Sequence, residues 1–206
     1  VQFKNGSFID GGITNLAGGT ISGPIALDLQ ASTLSGNISN AGLIVGQYAV
    51  YLQGTLSAPV SISGSIINNA GGTIQGISTR DALWIQYTTL AGGITNSGLI
   101  LNASTANKSA VFASYSTIAG GVTNNAGGTI SGGPAGLKLL NSVINNGITN
   151  AGLMKQVSSS GAIGVIALTG STVNGGIVNT GTMQAALADV VANASKILGG
   201  ITNSGL

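Results

Sequence analysis

Acid–base chemistry in this chain of 206 residues would have to come from Asp10, Asp28, Asp81 and Asp189, because it has no Glu, no His and no Cys. Glycoside hydrolysis asks for two carboxyl groups held across the scissile bond, and polysaccharide lysis for a base with a charge-neutralising partner. Asp10 and Asp28 lie in the first copy of the repeat described below but on different sides, and Asp81 and Asp189 are several coils apart, so no aligned pair results. Metal and triad chemistry are poorly supplied as well, since they draw on His, Cys and clustered carboxylates. The Gly-Gly-x-Gly-x-Asp pattern of calcium-binding coils is absent, and no Gly pair leads into a Gly-Lys-Ser/Thr ending or a helix. The sequence predicts no catalytic residues, no metal, no cofactor and no enzyme.

The cations Lys4, Arg80, Lys108, Lys138, Lys155 and Lys196 leave a net charge of +2, spread too thinly for a nucleic-acid footprint. Mean hydropathy is +0.47. Even so, Gly, Asn, Ser or Thr interrupts every apolar stretch before it reaches the ~18 residues of a spanning helix, so no membrane insertion by this segment is expected. No basic-then-apolar leader opens the chain, so a signal peptide is expected to be absent or already removed. Without Cys there is no disulfide framework.

Aromatic residues offer a different kind of chemistry. Six of them, Tyr48, Tyr51, Trp84, Tyr87, Phe112 and Tyr115, lie close together in the sequence. Tyr51, Trp84 and Phe112 each sit between two apolar residues: Val50 and Leu52, Leu83 and Ile85, Val111 and Ala113. If those neighbours point inward on a strand, the rings point outward. Arg80 and Asp81 lie just before Trp84 and would supply polar contacts. Such a column would stiffen a sheet, at ~0.5–1.5 kcal/mol per ring pair. It would also offer a platform for a glycan, a partner protein or a second solenoid, and both readings stand at this point.

The elements that position these rings come from a repeat. The phrase Ile-Thr-Asn, or a close variant, recurs eight times, with its aliphatic at Ile13, Ile38, Ile66, Ile94, Val122, Ile148, Ile177 and Ile201. The copies are roughly 24 to 29 residues apart, the spacing of solenoid coils. Two residues on stands Asn in every copy: Asn15, Asn40, Asn68, Asn96, Asn124, Asn150, Asn179 and Asn203. Four residues before the anchor stands an aliphatic, from Ile9 to Ile197, with Gly between them in all copies but the one holding Asn146. A period of two places these columns inward on one strand, and the Asn column is expected to form an internal hydrogen-bonded ladder. The opposite parity carries mostly Thr, which suits a half-exposed strand. It also raises an ice-binding array as an alternative, one that Ile67 and Val178 interrupt.

A second strand follows through Ile21, Ile44, Ile74, Ile100, Ile130, Met154 and Met183. A third carries Leu27, Val50, Leu83, Val111, Leu137, Ile166 and Val191, and two residues later Leu29 through Asn193. The reading is all-β: a right-handed parallel β-helix, or β-solenoid, with three strands per coil and about seven coils, residues 1–206 forming a single segment. At ~4.8 Å per coil its length is about 34 Å. The chain stops inside a phrase it has already used, so a piece of a longer solenoid is expected.

The tandem Gly-Gly-Ile-Thr-Asn-x-Gly phrase, in a Gly-, Ser-, Thr- and Asn-rich chain without Cys, resembles the passenger regions of bacterial autotransporter, or type V secreted, proteins. The resemblance implies a secreted or cell-surface β-helical stalk serving adhesion, aggregation or biofilm formation, anchored in the outer membrane through regions outside these residues. Its implied partners are host or cell-surface glycans or proteins, or further copies of itself. A polysaccharide-binding or polysaccharide-degrading β-helix is the alternative.

Overall fold

A computed structural model describes residues 1–77, 80–103, 108–158 and 163–206. Among them every regular element is a strand, and every strand pairing is parallel. The chain winds as a β-solenoid of about seven turns, each face a sheet whose hydrogen bonds run along the solenoid axis.

The sheets number four, not the three expected. Face 1 contains Ile25–Gln30, Tyr48–Gln53, Leu83–Gln86, Val111–Ser114 and Leu137–Leu140. Face 2 runs through Val60–Ile62 and Thr88–Leu90, face 3 through Ile66–Asn68 and Ile94–Asn96, and face 4 through Thr73–Gly76 and Leu99–Asn102. What the sequence presents as one strand from Ile9 to Asn15 is two, Phe8–Ile9 and Ile13–Asn15, in different sheets. The intervening Gly column explains the split. Gly11 has φ +86°, and a Cβ on Gly36, Gly64 or Gly120 would lie 2.5–2.7 Å from backbone of the coil before it. Only a residue without a side chain lets this corner stack on itself.

The aliphatic columns fill the interior. Leu83 and Ile85 of face 1, Leu90 of face 2, Ile94 of face 3 and Ile100 of face 4 are all essentially without solvent contact and belong to one core that runs the length of the solenoid. The Thr column on face 3 is partly exposed in the central coils. Near the end of the chain the face 1 register differs by one residue from the sequence alignment. Val190, not Val191, pairs with Ile166, and Ala192 rather than Asn193 pairs with Leu168. This slip keeps an amide out of the core and packs Val190 against it, while Val191 is 38% exposed.

The asparagines of face 3 form a continuous ladder. Nδ2 of each donates to Oδ1 of the next: Asn15 to Asn40, Asn40 to Asn68, Asn68 to Asn96 and Asn96 to Asn124 at 2.8 Å, then Asn124 to Asn150, Asn150 to Asn179 and Asn179 to Asn203 at 2.7 Å. Each amide also caps its own corner, as Asn96 does by donating to Gly98 O at 3.1 Å. A buried amide needs such partners, and translation along the axis supplies them.

A second ladder, not picked out from the sequence, lines the corner between faces 1 and 2. The backbone N–H of Thr88 donates to Ser116 Oγ, Ser116 N to Ser142 Oγ, Ser142 N to Ser171 Oγ and Ser171 N to Ser195 Oγ, at 3.0–3.1 Å. Each hydroxyl in turn donates to the carbonyl two residues back. The residue before each serine turns the corner in the left-handed region; at Tyr115 φ is +49° and at Asn141 +46°.

Candidate functional site

Face 1 carries the predicted aromatic column on its outer side. Tyr51 pairs with Trp84, and Trp84 with Phe112, in the strand register. The core residues on either side of Trp84 turn inward, so the ring faces outward, as strand alternation requires. The register continues to Asp28 beyond Tyr51 and to Lys138 beyond Phe112.

The rings make contact. Tyr51 and Trp84 stack with centroids 6.3 Å apart at 24°, and Trp84 meets Phe112 at 4.8 Å, tilted by 51°. Tyr48 joins them, 4.6 Å from Tyr51 and edge-on to Trp84 at 5.7 Å. A cation covers each side of the cluster: the Arg80 guanidinium lies 5.5 Å from the Tyr48 centroid, and Lys138 Nζ lies 5.6 Å from that of Phe112. Burial pushes the Tyr48 and Tyr51 phenols above their ordinary pKa, with Arg80 pulling the other way, so both remain neutral hydroxyls at pH 7. Tyr87 and Tyr115 stack on each other at the corner with face 2 and form a separate pair.

The strip is not uniformly open. Tyr48, Tyr51 and Trp84 are half-buried, and Phe112 is only 9% exposed, enclosed between Trp84 and Lys138. Continuous access to all three expected rings is therefore corrected: the accessible part is the end formed by Tyr48, Tyr51 and Trp84. Arg80 is exposed, but Asp81 is buried, and its Oδ1 accepts the Ser109 N–H at 2.7 Å. Burial raises the Asp81 pKa, against the pull of that N–H and of Lys108 and Lys138.

At the Phe112 end the site deepens into a cavity of about 130 Å³ lined by Asp81, Trp84, Lys108, Ser109, Phe112 and Lys138. Two buried donors of this lining, Trp84 Nε1 and Ser109 Oγ, have no hydrogen-bond partner among the described residues.

No protein-family model matches this chain, and neither does a curated protein or a solved structure.

The site thus rests on its own chemistry. It offers aromatic faces, neutral hydroxyl and indole donors, two ammonium groups and one buried carboxyl. Asp28, beyond Tyr51 in the strand register, is already occupied: Gln2 and Gln30 donate to it at 2.6 and 2.9 Å, and Lys4 Nζ stands 3.9 Å away. Among the described residues no cluster of three His, Cys, Asp or Glu side chains could hold a metal. Lys138 was legible in the sequence, since it stands between the inward Leu137 and Leu139 in the coil after Phe112. Tyr48, Lys108 and Ser109 were not legible, because they lie at or beyond the strand starts, where coil length varies.

Proposed function

We propose that this chain is a non-catalytic, surface-displayed β-solenoid stalk, secreted in the manner of autotransporter passengers, that serves adhesion or aggregation by holding saccharide on face 1. One observation carries this reading: Tyr48, Tyr51 and Trp84 form a partly exposed aromatic strip on a rigid sheet, flanked by Arg80. A pyranose ring presents C–H groups on its faces and hydroxyls on its rim, so it suits an aromatic wall edged with hydrogen-bonding groups. The supply of only four carboxylates, with no Glu or His, supports binding without turnover.

The test is equilibrium binding of the purified chain to a panel of cell-surface polysaccharides, together with its self-association, for the native protein and Trp84→Ala. Binding should weaken about tenfold or more in the variant. A lower melting temperature with unchanged binding would assign the strip to sheet stability alone, and release of shortened saccharide would replace the stalk with an enzyme.

A further inference from the structure

The cavity beside the aromatic strip has features that the strip does not need. Ser109 is 1% exposed, and its hydroxyl, like the Trp84 indole N–H, is buried without a protein partner among the described residues. A buried donor left without an acceptor costs about as much as a lost hydrogen bond, so two such donors, on residues that line one cavity and just behind its wall, mark a place where an acceptor belongs. Lys108 and Lys138 line the same space, giving it two ammonium groups against the single Asp81 carboxyl. A cavity of about 130 Å³ has room for a ring substituent and its neighbouring hydroxyls.

We infer that this cavity is a subsite for the carboxylate of an acidic sugar, whose ring lies against Trp84. This rests on the saccharide reading above and narrows it to uronate-type units. Ser109 Oγ and Trp84 Nε1, closed off in the free chain, would turn toward the cavity and donate to the carboxylate oxygens, with Lys138 and Lys108 supplying charge-assisted bonds. Asp81, through the oxygen that does not accept the Ser109 N–H, would bond a neighbouring sugar hydroxyl. The aromatic walls distinguish this site from one for a bare anion, which gains nothing from the faces of Trp84 and Phe112.

Trp84 is the single tryptophan of the chain, so its fluorescence reports occupancy directly in every variant that keeps it, and titration calorimetry follows binding to Trp84→Phe. The probes are a hexasaccharide of alternating glucuronate and N-acetylglucosamine, the same oligomer with its carboxyls reduced to hydroxymethyl groups, and dextran sulfate. The acidic hexasaccharide should bind about tenfold more tightly than its reduced form. Lys138→Gln should abolish that preference, and Ser109→Ala and Trp84→Phe should each reduce it several-fold. Because Ser109 Oγ has no partner to lose and Trp84→Phe keeps a ring, these two variants should melt within a few degrees of the native protein.

Equal binding of the acidic and reduced oligomers overturns the carboxylate subsite while leaving the saccharide strip in place. A fluorescence response to neither oligomer overturns both. Dextran sulfate binding as tightly as the hexasaccharide, with Ser109→Ala and Trp84→Phe silent, assigns the effect to bulk charge and overturns the subsite.

Discussion

Asn68 Nδ2 donates to Asn96 Oδ1 at 2.8 Å across 28 residues of chain, and Asn96 repeats the bond to Asn124. Sequence-distant amides are thereby joined into one polar spine beside an apolar core, and each member between Asn15 and Asn203 is both donor and acceptor.

Asn96→Ala interrupts that spine at its centre. It removes the acceptor of the Asn68 amide together with the donor that serves Gly98 O and Thr129 O. A loss of about 1–3 kcal/mol is expected, read from denaturant midpoints at constant m. An unchanged midpoint would mean that this one amide is redundant in the spine.

Ser142→Ala tests the second ladder. Its hydroxyl accepts the Ser116 N–H at 3.1 Å and donates to Leu140 O at 2.9 Å, so the variant leaves a buried backbone donor unpaired. The expected cost is again about 1–3 kcal/mol, although the side chain loses only one oxygen. Amide exchange at Ser116 should speed up more than at Ile144 in the adjacent face 2 strand.

Gly71 and Gly98 are required for different reasons. Gly71 has φ +80° with open space around its missing side chain, so Gly71→Ala should cost about 1–2 kcal/mol of backbone strain. A Cβ on Gly98 would run into the Gly72 carbonyl and lie 2.5 Å from Asn69 O and 2.9 Å from Asn68 Nδ2. That space belongs to backbone and to the Asn spine, which cannot move aside. Gly98→Ala should cost about 3 kcal/mol or more. Thermal melts of the two variants decide the order.

Asp81 makes stability depend on pH. Burial raises its pKa above the usual 3.8, although Lys108, Lys138 and the Ser109 N–H work to lower it; Arg80 and Tyr48 lie nearby as well. A carboxyl with a higher pKa in the folded state contributes most when protonated, below its unfolded pKa. That contribution is lost as pH rises through the folded pKa. Asp81→Asn keeps an acceptor for Ser109 N–H and cannot ionise. Relative to the native chain it should therefore gain stability between pH 3.5 and pH 8, as followed by urea denaturation. A difference that stays flat with pH would show that the carboxyl is not shifted.

Much of this architecture is legible from one chain because stacking a repeat on itself aligns like with like. The period of two around Ile94 and Asn96, and around Leu83, Trp84 and Ile85, determined which side chains face inward, since strand alternation leaves two choices and burial selects one. The coil count and the outward aromatic column follow from the same alignment.

Tertiary structure decided the rest, where the missing information was the neighbouring coil. A Gly between two aliphatics looks like a strand interior until the coil below shows that backbone stacks on backbone there, turning three faces into four. The serine ladder is spread over Ser116, Ser142, Ser171 and Ser195, without a phrase to mark it, and becomes visible only when each N–H meets the next hydroxyl. The cavity depends on Asp81, Lys108 and Ser109, each just ahead of a face 1 strand, coming to lie beside Trp84. Periodicity governs what repeats, and these three residues belong to no repeated phrase, so only the packing of one coil on the next could place them.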